Sequence, residues 1–135
     1  MSEPTPVWNV MLATCPSRTS LAKIANKWTA MIVIALSDGP VRFGTIRQRV
    51  EGISGKVLAE TLRDLERDGV LVRTVYDEMP LRVEYELTPL GQTLREPLTA
   101  LGQWAERHIE EVLDARDAYD RRDAEVRPDA PLTLR

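Results

Sequence analysis

The chain has 135 residues, 43% of them hydrophobic and 29% charged, with a formal charge of −3 at pH 7. That size suits one domain, 1–135, and no run approaches the ~20 apolar residues of a membrane-spanning helix. A single Cys15 and a single His108 exclude an intrachain disulfide and a metal site built on several cysteines or histidines.

The opening MSEPTPVWNVMLATCPSR lacks the basic segment of a secretory signal, so a soluble, cytoplasmic protein is expected. Residues 5–18 carry the apolar run VWNVMLA among prolines, too short to fold alone and suited to an arm that docks on a partner. From Thr19 the spacing turns helical: Leu21, Ile24 and Ala25 share a face, Asn26 interrupts, and KWTAMIVIAL continues as a nearly all-apolar helix for the core. A buried strand is the alternative there, because Ile32, Val33 and Ile34 are β-branched. SDGP, Ser37 to Pro40, is a turn by composition. Phe43, Ile46 and Val50 then recur at helical spacing in a short amphipathic helix.

The next helix, about 54–68, carries capping signals at both ends. Ser54 is the N-cap, with Ile53 and Leu58 placed for a hydrophobic staple. Gly69 takes the left-handed position after the last turn, which brings Val70 to Leu65. Leu58, Leu62 and Leu65 form its inner face, and Lys56, Glu60, Arg63 and Arg67 lie opposite. The period then changes to two: Val83, Tyr85 and Leu87 alternate with Arg82, Glu84 and Glu86 in the return strand of a hairpin whose tip is DEMP. Thr88 caps a long helix that starts at Pro89 and keeps an apolar stripe to about residue 119, with a kink expected at Pro97. The charged, proline-bearing residues 120–135 are expected to form a mobile tail.

The fold class is therefore mainly α with a small β-hairpin. Helix, tight glycine turn, doubly capped helix and hairpin in that order make a helix-turn-helix followed by a wing. In such a unit the second helix enters the major groove of double-stranded DNA and the wing lies along the flanking backbone. Charge permits this: residues 1–40 and 41–82 each carry +1, while residues 106–129 carry −4. The sequence contains no Gly-rich phosphate loop, G-x-S-x-G elbow or H-E-x-x-H, so neither an enzyme nor a cofactor is expected. The other class weighed is a winged domain that binds protein rather than DNA. Such a binder needs apolar anchors on the exposed side of 54–68, where Lys56, Arg63 and Arg67 stand.

CPSRTSLAKIANKW, DGPVRFGTIRQRV, GISGKVLAETLRDLERDGVLVR and PLRVEYELTPLG, followed by Pro97 and Trp104, occur here in one order. In these stretches, from Cys15 to about Trp104, the chain resembles the HxlR-type winged helix-turn-helix transcriptional regulators, MarR-like proteins of bacteria and archaea. Gly55 stands where that family commonly has a larger residue, and Leu81 where it often has a polar residue or proline. The resemblance implies a homodimer formed by the N-terminal arm, 5–18, and the C-terminal helix, 89–119, around a DNA-binding core, 19–88. It also implies an inverted-repeat operator as the target, and a small-molecule or oxidant effector.

Site residues follow from the two readings together. Ser54 and the free amides at the helix start, with the charge of Lys56, offer phosphate binding, Gly55 and Ala59 lack bulk and let the helix sit deep in the groove, and Arg63 reaches DNA along the exposed stripe. For Arg67 the expectation is instead a surface pair with Glu60 or Asp64, which is also the alternative for Arg63. Arg82 is either a phosphate or minor-groove contact of the wing or half of a surface ion pair. Trp8, Met11, Leu98, Leu101, Trp104, Ala105, His108 and Val112 are expected at the dimer interface. Cys15, close to Arg18, is either a redox-sensing thiol or a small apolar residue buried at that interface.

Overall fold

The computed structural model describes residues 7–126; residues 5 and 6 of the expected arm and the expected tail beyond Val126 lie outside the described residues. Helix α1 (Pro16–Ile24) begins earlier than the periodicity suggests, since Pro16 occupies its first turn, where no amide donor is needed. Asn26 interrupts as expected, because its side chain accepts the Thr29 N–H and caps α2 (Lys27–Ala35). The buried Thr29 hydroxyl is satisfied by the Lys23 carbonyl at 3.1 Å. The apolar run is thus a helix, with Ile32, Val33 and Leu36 fully covered.

Helices α3 (Phe43–Arg49) and α4 (Gly55–Arg67) follow, joined by a turn containing Gly52. Leu58, Leu62 and Leu65 of α4 enter one core with Ile32, Val33, Leu36, Ile46 and Val50. Strands β2 (Leu71–Tyr76) and β3 (Arg82–Leu87) form the hairpin in antiparallel register, Leu71 opposite Leu87 and Tyr76 opposite Arg82. The sheet nonetheless has three strands, ordered β1-β3-β2, because β1 (Val41–Arg42) pairs Val41 with Tyr85. Two residues are too short to show a strand period, and their partner lies far along the chain. Packing on the core through Leu71, Leu87 and Tyr85 supplies the stability that an isolated hairpin lacks.

The expected single helix from residue 89 is two. Helix α5 (Pro89–Gln92) stops at Thr93, and α6 runs Arg95–Val126, past the end expected near residue 119. Pro97 falls in the first turn of α6 rather than inside a longer helix, and there its missing N–H has no intrahelical acceptor to lose. The chain divides into two compact units, Met1–Thr99, which holds the core, and Ala100–Arg135, whose described part is the remainder of α6. No described helix is long and apolar enough to cross a membrane.

Candidate nucleic-acid interface

Ser54 sets the start of α4: its hydroxyl accepts the Val57 N–H at 3.1 Å and its carbonyl the Leu58 N–H at 3.0 Å. The Gly55 and Lys56 amides keep no intrahelical acceptor and carry the positive end of the helix dipole. At the other end Gly69, at φ 75°, lets the Val70 N–H reach the Leu65 carbonyl and the Gly69 N–H reach that of Glu66. With Leu58, Leu62 and Leu65 buried, Ser54, Lys56, Glu60, Arg63 and Arg67 are exposed, and Gly55 and Ala59 are half-buried. Neither Arg63 nor Arg67 is ion-paired among the described residues, so the pair expected for Arg67 does not form. Arg47, on α3, brings a further cation. Its Nη1 lies 3.5 Å from where a Cβ of residue 55 would stand. Glycine at 55 therefore leaves the start of α4 open beside that guanidinium.

The wing places Arg82 differently from a free DNA contact. Its guanidinium stacks on the Tyr76 ring at 3.9 Å from the centroid and pairs with Glu78 at 3.2 Å and Glu84 at 3.7 Å. Tyr76, Glu84 and Arg82 point to one side of the hairpin by register, which brings the cation and both carboxylates together. Of the two roles weighed for Arg82, the surface ion pair describes its geometry.

Cys15 stands at the N-cap of α1 and is 8% exposed. The Ser17 hydroxyl at 3.0 Å and the Asn9 N–H at 3.3 Å hold its thiol below the usual thiol range, with partial burial opposing them. Arg18 contributes through its backbone only, not through the guanidinium charge that the sequence suggests. Trp8, Met11, Leu101 and Trp104 are exposed, as is Ala105, while His108 and Val112 are half-covered. The Trp104 and His108 rings lie tilted against each other with centroids 5.3 Å apart, and His108 faces Glu111 at 3.6 Å. Leu98 does not belong with them. At 5% exposure it is a core residue, a member of the same buried cluster as the inner faces of α2, α3 and α4.

The profile of the HxlR-like helix-turn-helix family matches residues 23–113. The chain belongs to that family. It is 42% identical over 109 residues to YtfH of Escherichia coli (strain K12), an uncharacterized HTH-type transcriptional regulator, covering 81% of this chain and 86% of that one. Among solved structures it is similar to the putative transcriptional regulator ytfH from Salmonella typhimurium, at 40% identity and a TM-score of 0.77, covering 82% of this chain and 99% of that one. It is also similar to the redox regulator HypR in its oxidized form, at 35% identity and a TM-score of 0.64, covering 69% and 96%.

This HxlR-like chain is thus a helix-turn-helix transcriptional regulator with a winged fold. Ser54, Gly55, Lys56, Ala59 and Arg63 lie together on α4, as their spacing requires. Two further cations escaped the sequence reading, Arg47 beside the start of α4 and Arg73 on β2 beside its flank. Each belongs to another element than α4, and helical periodicity says nothing across elements.

Proposed function

We propose that this regulator binds an inverted-repeat operator in double-stranded DNA as a homodimer, with α4 in the major groove and the wing alongside. The observation that carries this reading is the open polar face of the doubly capped α4, where Ser54 and Lys56 stand uncovered beside free helix-start amides and Arg63 is exposed farther along. A protein-binding module would need apolar anchors there, and the exposed stripe holds Lys56, Glu60, Arg63 and Arg67 instead. Exposed Trp8 and Met11 of the arm, and Leu101 and Trp104 of α6, are apolar surfaces that a second copy would cover. A two-fold dimer reads a palindrome because its two α4 helices are related by the same axis, with half-sites about one turn, ~34 Å, apart. In this reading the wing carries Arg82 as a strut rather than a reader, since its charge is spent on Glu78 and Glu84.

Cys15 supplies the effector response in the same proposal. Its lowered thiol is the more reactive for it, and the similar HypR is a redox regulator. With one cysteine per chain, an oxidant takes two electrons from two thiols, which lose their protons and form an S–S bond between protomers or to a small thiol. A mobility shift with the DNA upstream of the gene, at rising salt and with and without a thiol oxidant, tests both parts. Binding should weaken steeply with salt. Oxidant should change the affinity of the wild type and leave Cys15→Ser unmoved. Salt-indifferent binding would end the DNA reading, and equal oxidant responses would end the role of Cys15.

A further inference from the structure

We infer that Arg63 and Arg73 together grip a single backbone phosphate of the duplex in the crease between α4 and the wing, an inference that rests on the DNA-binding reading above. With Leu62 turned inward, Ala59, Arg63 and Glu66 recur at four- and three-residue spacing along the flank of α4 nearest the sheet. On β2, Leu71 is buried toward the core, and Arg73, two residues on, shares its face. Tyr85 lies opposite Arg73 on β3. These side chains meet in one cleft of ≈ 290 Å³ lined by Ala59, Leu62, Arg63, Glu66, Arg73 and Tyr85.

The chemistry of the cleft is that of an anion site. It holds two guanidinium groups and one carboxylate, Glu66, and no described salt bridge engages either arginine. Two arginines against one carboxylate leave the cleft lining with a net positive charge, which an incoming anion offsets. A guanidinium presents its N–H donors as a planar fork that fits the oxygens of a phosphate, and two forks from different elements can approach one phosphate from two sides. Position selects the source of that phosphate. With α4 in the groove and the wing beside it, the strand between them crosses this crease, so the contact is to the backbone and is blind to base sequence.

The test is fluorescence anisotropy of the full chain with the duplex upstream of the gene and with a shuffled duplex of equal length, each over a series of salt concentrations. Arg73→Gln should weaken both duplexes alike and flatten the salt dependence, and Arg73→Lys should restore most of it. Because one phosphate is shared in each protomer, the double variant R63Q/R73Q should lower the slope of log K against log salt by about 0.9 per protomer, about 1.8 for the dimer, or roughly 30-fold in affinity at ~0.15 M salt. Glu66→Gln should tighten both duplexes by removing the repelling carboxylate. A slope loss near twice the dimer value means two separate phosphates in each protomer and overturns the grip. So does an Arg73→Gln variant that binds as wild type, or a loss confined to one duplex. If Arg73→Gln fails to fold by circular dichroism, the exposed Arg63→Gln and Glu66→Gln decide: unchanged binding in both rejects the site. Wild-type protein that binds neither duplex at low salt removes the DNA-binding reading itself, and the grip with it.

Discussion

Gly91 shows how narrow a single-residue requirement can be. A Cβ there would collide with the Val70 carbonyl oxygen, the same oxygen that accepts the Thr88 N–H at 3.0 Å. Backbone cannot yield as a flexible side chain does, so Gly91→Ala should destabilise the fold by about 1–3 kcal/mol, read as a lower denaturant midpoint with an unchanged m-value. A midpoint equal to wild type would mean that the α5 start is not held against β2. Cys15 makes a prediction of a different kind. Its thiol is held low in the fold by Ser17 and Asn9 but not in the unfolded chain, so its contribution to stability is present above the usual thiol range. That contribution is lost as pH falls through the folded value. The stability difference between wild type and Cys15→Ser should therefore grow as pH rises from below the folded thiol value to the usual thiol range. Denaturation curves across that window that run parallel would show that the thiol is not perturbed.

At the scale of the element, the wing is the informative case. Surface ion pairs contribute ~0–1 kcal/mol and a cation–π contact at an exposed site about 0.5–1 kcal/mol, so the Arg82 cluster adds modest stiffness to the hairpin rather than global stability. Arg82→Gln should accordingly leave the salt slope of DNA binding unchanged while speeding hydrogen exchange in the β2–β3 turn. A slope reduced by about 0.9 per protomer would return Arg82 to direct phosphate contact. Helix α4 was legible in advance because its information is local: Ser54, Gly69 and the Leu58–Leu62–Leu65 stripe all act within its own length or one turn beyond it. The break between α5 and α6 was not. Leu90, Leu94 and Leu98 keep helical spacing across it, and the separation follows from seating α5 against β3, with Gly91 on the Val70 carbonyl.

For the whole molecule, the deciding property is assembly. Trp104 is 56% exposed on α6 in a region that also exposes Leu101, Ile109 and Leu113, more apolar surface than a lone helix comfortably presents to water. Trp104→Glu should convert a dimer into a monomer by sedimentation velocity. It should also weaken binding to a two-half-site duplex far more than to a single half-site, because linkage of two weak contacts is what is lost. Wild-type protein that sediments as a monomer at micromolar concentration would remove the dimer proposal and leave the fold as described.

By itself the sequence determined the fold class, the capped α4 with its polar face, the hairpin phase and the likeness to one regulator family, because periodicity, caps and turn residues act over a few neighbouring positions. Only the tertiary structure decided that Arg82 is ion-paired within the wing, that Leu98 is core, that β1 joins the sheet, and that Arg47 and Arg73 stand beside α4. Each of these depends on side chains brought together from distant positions. Proximity of that kind is set by how the elements pack, and no residue spacing records it.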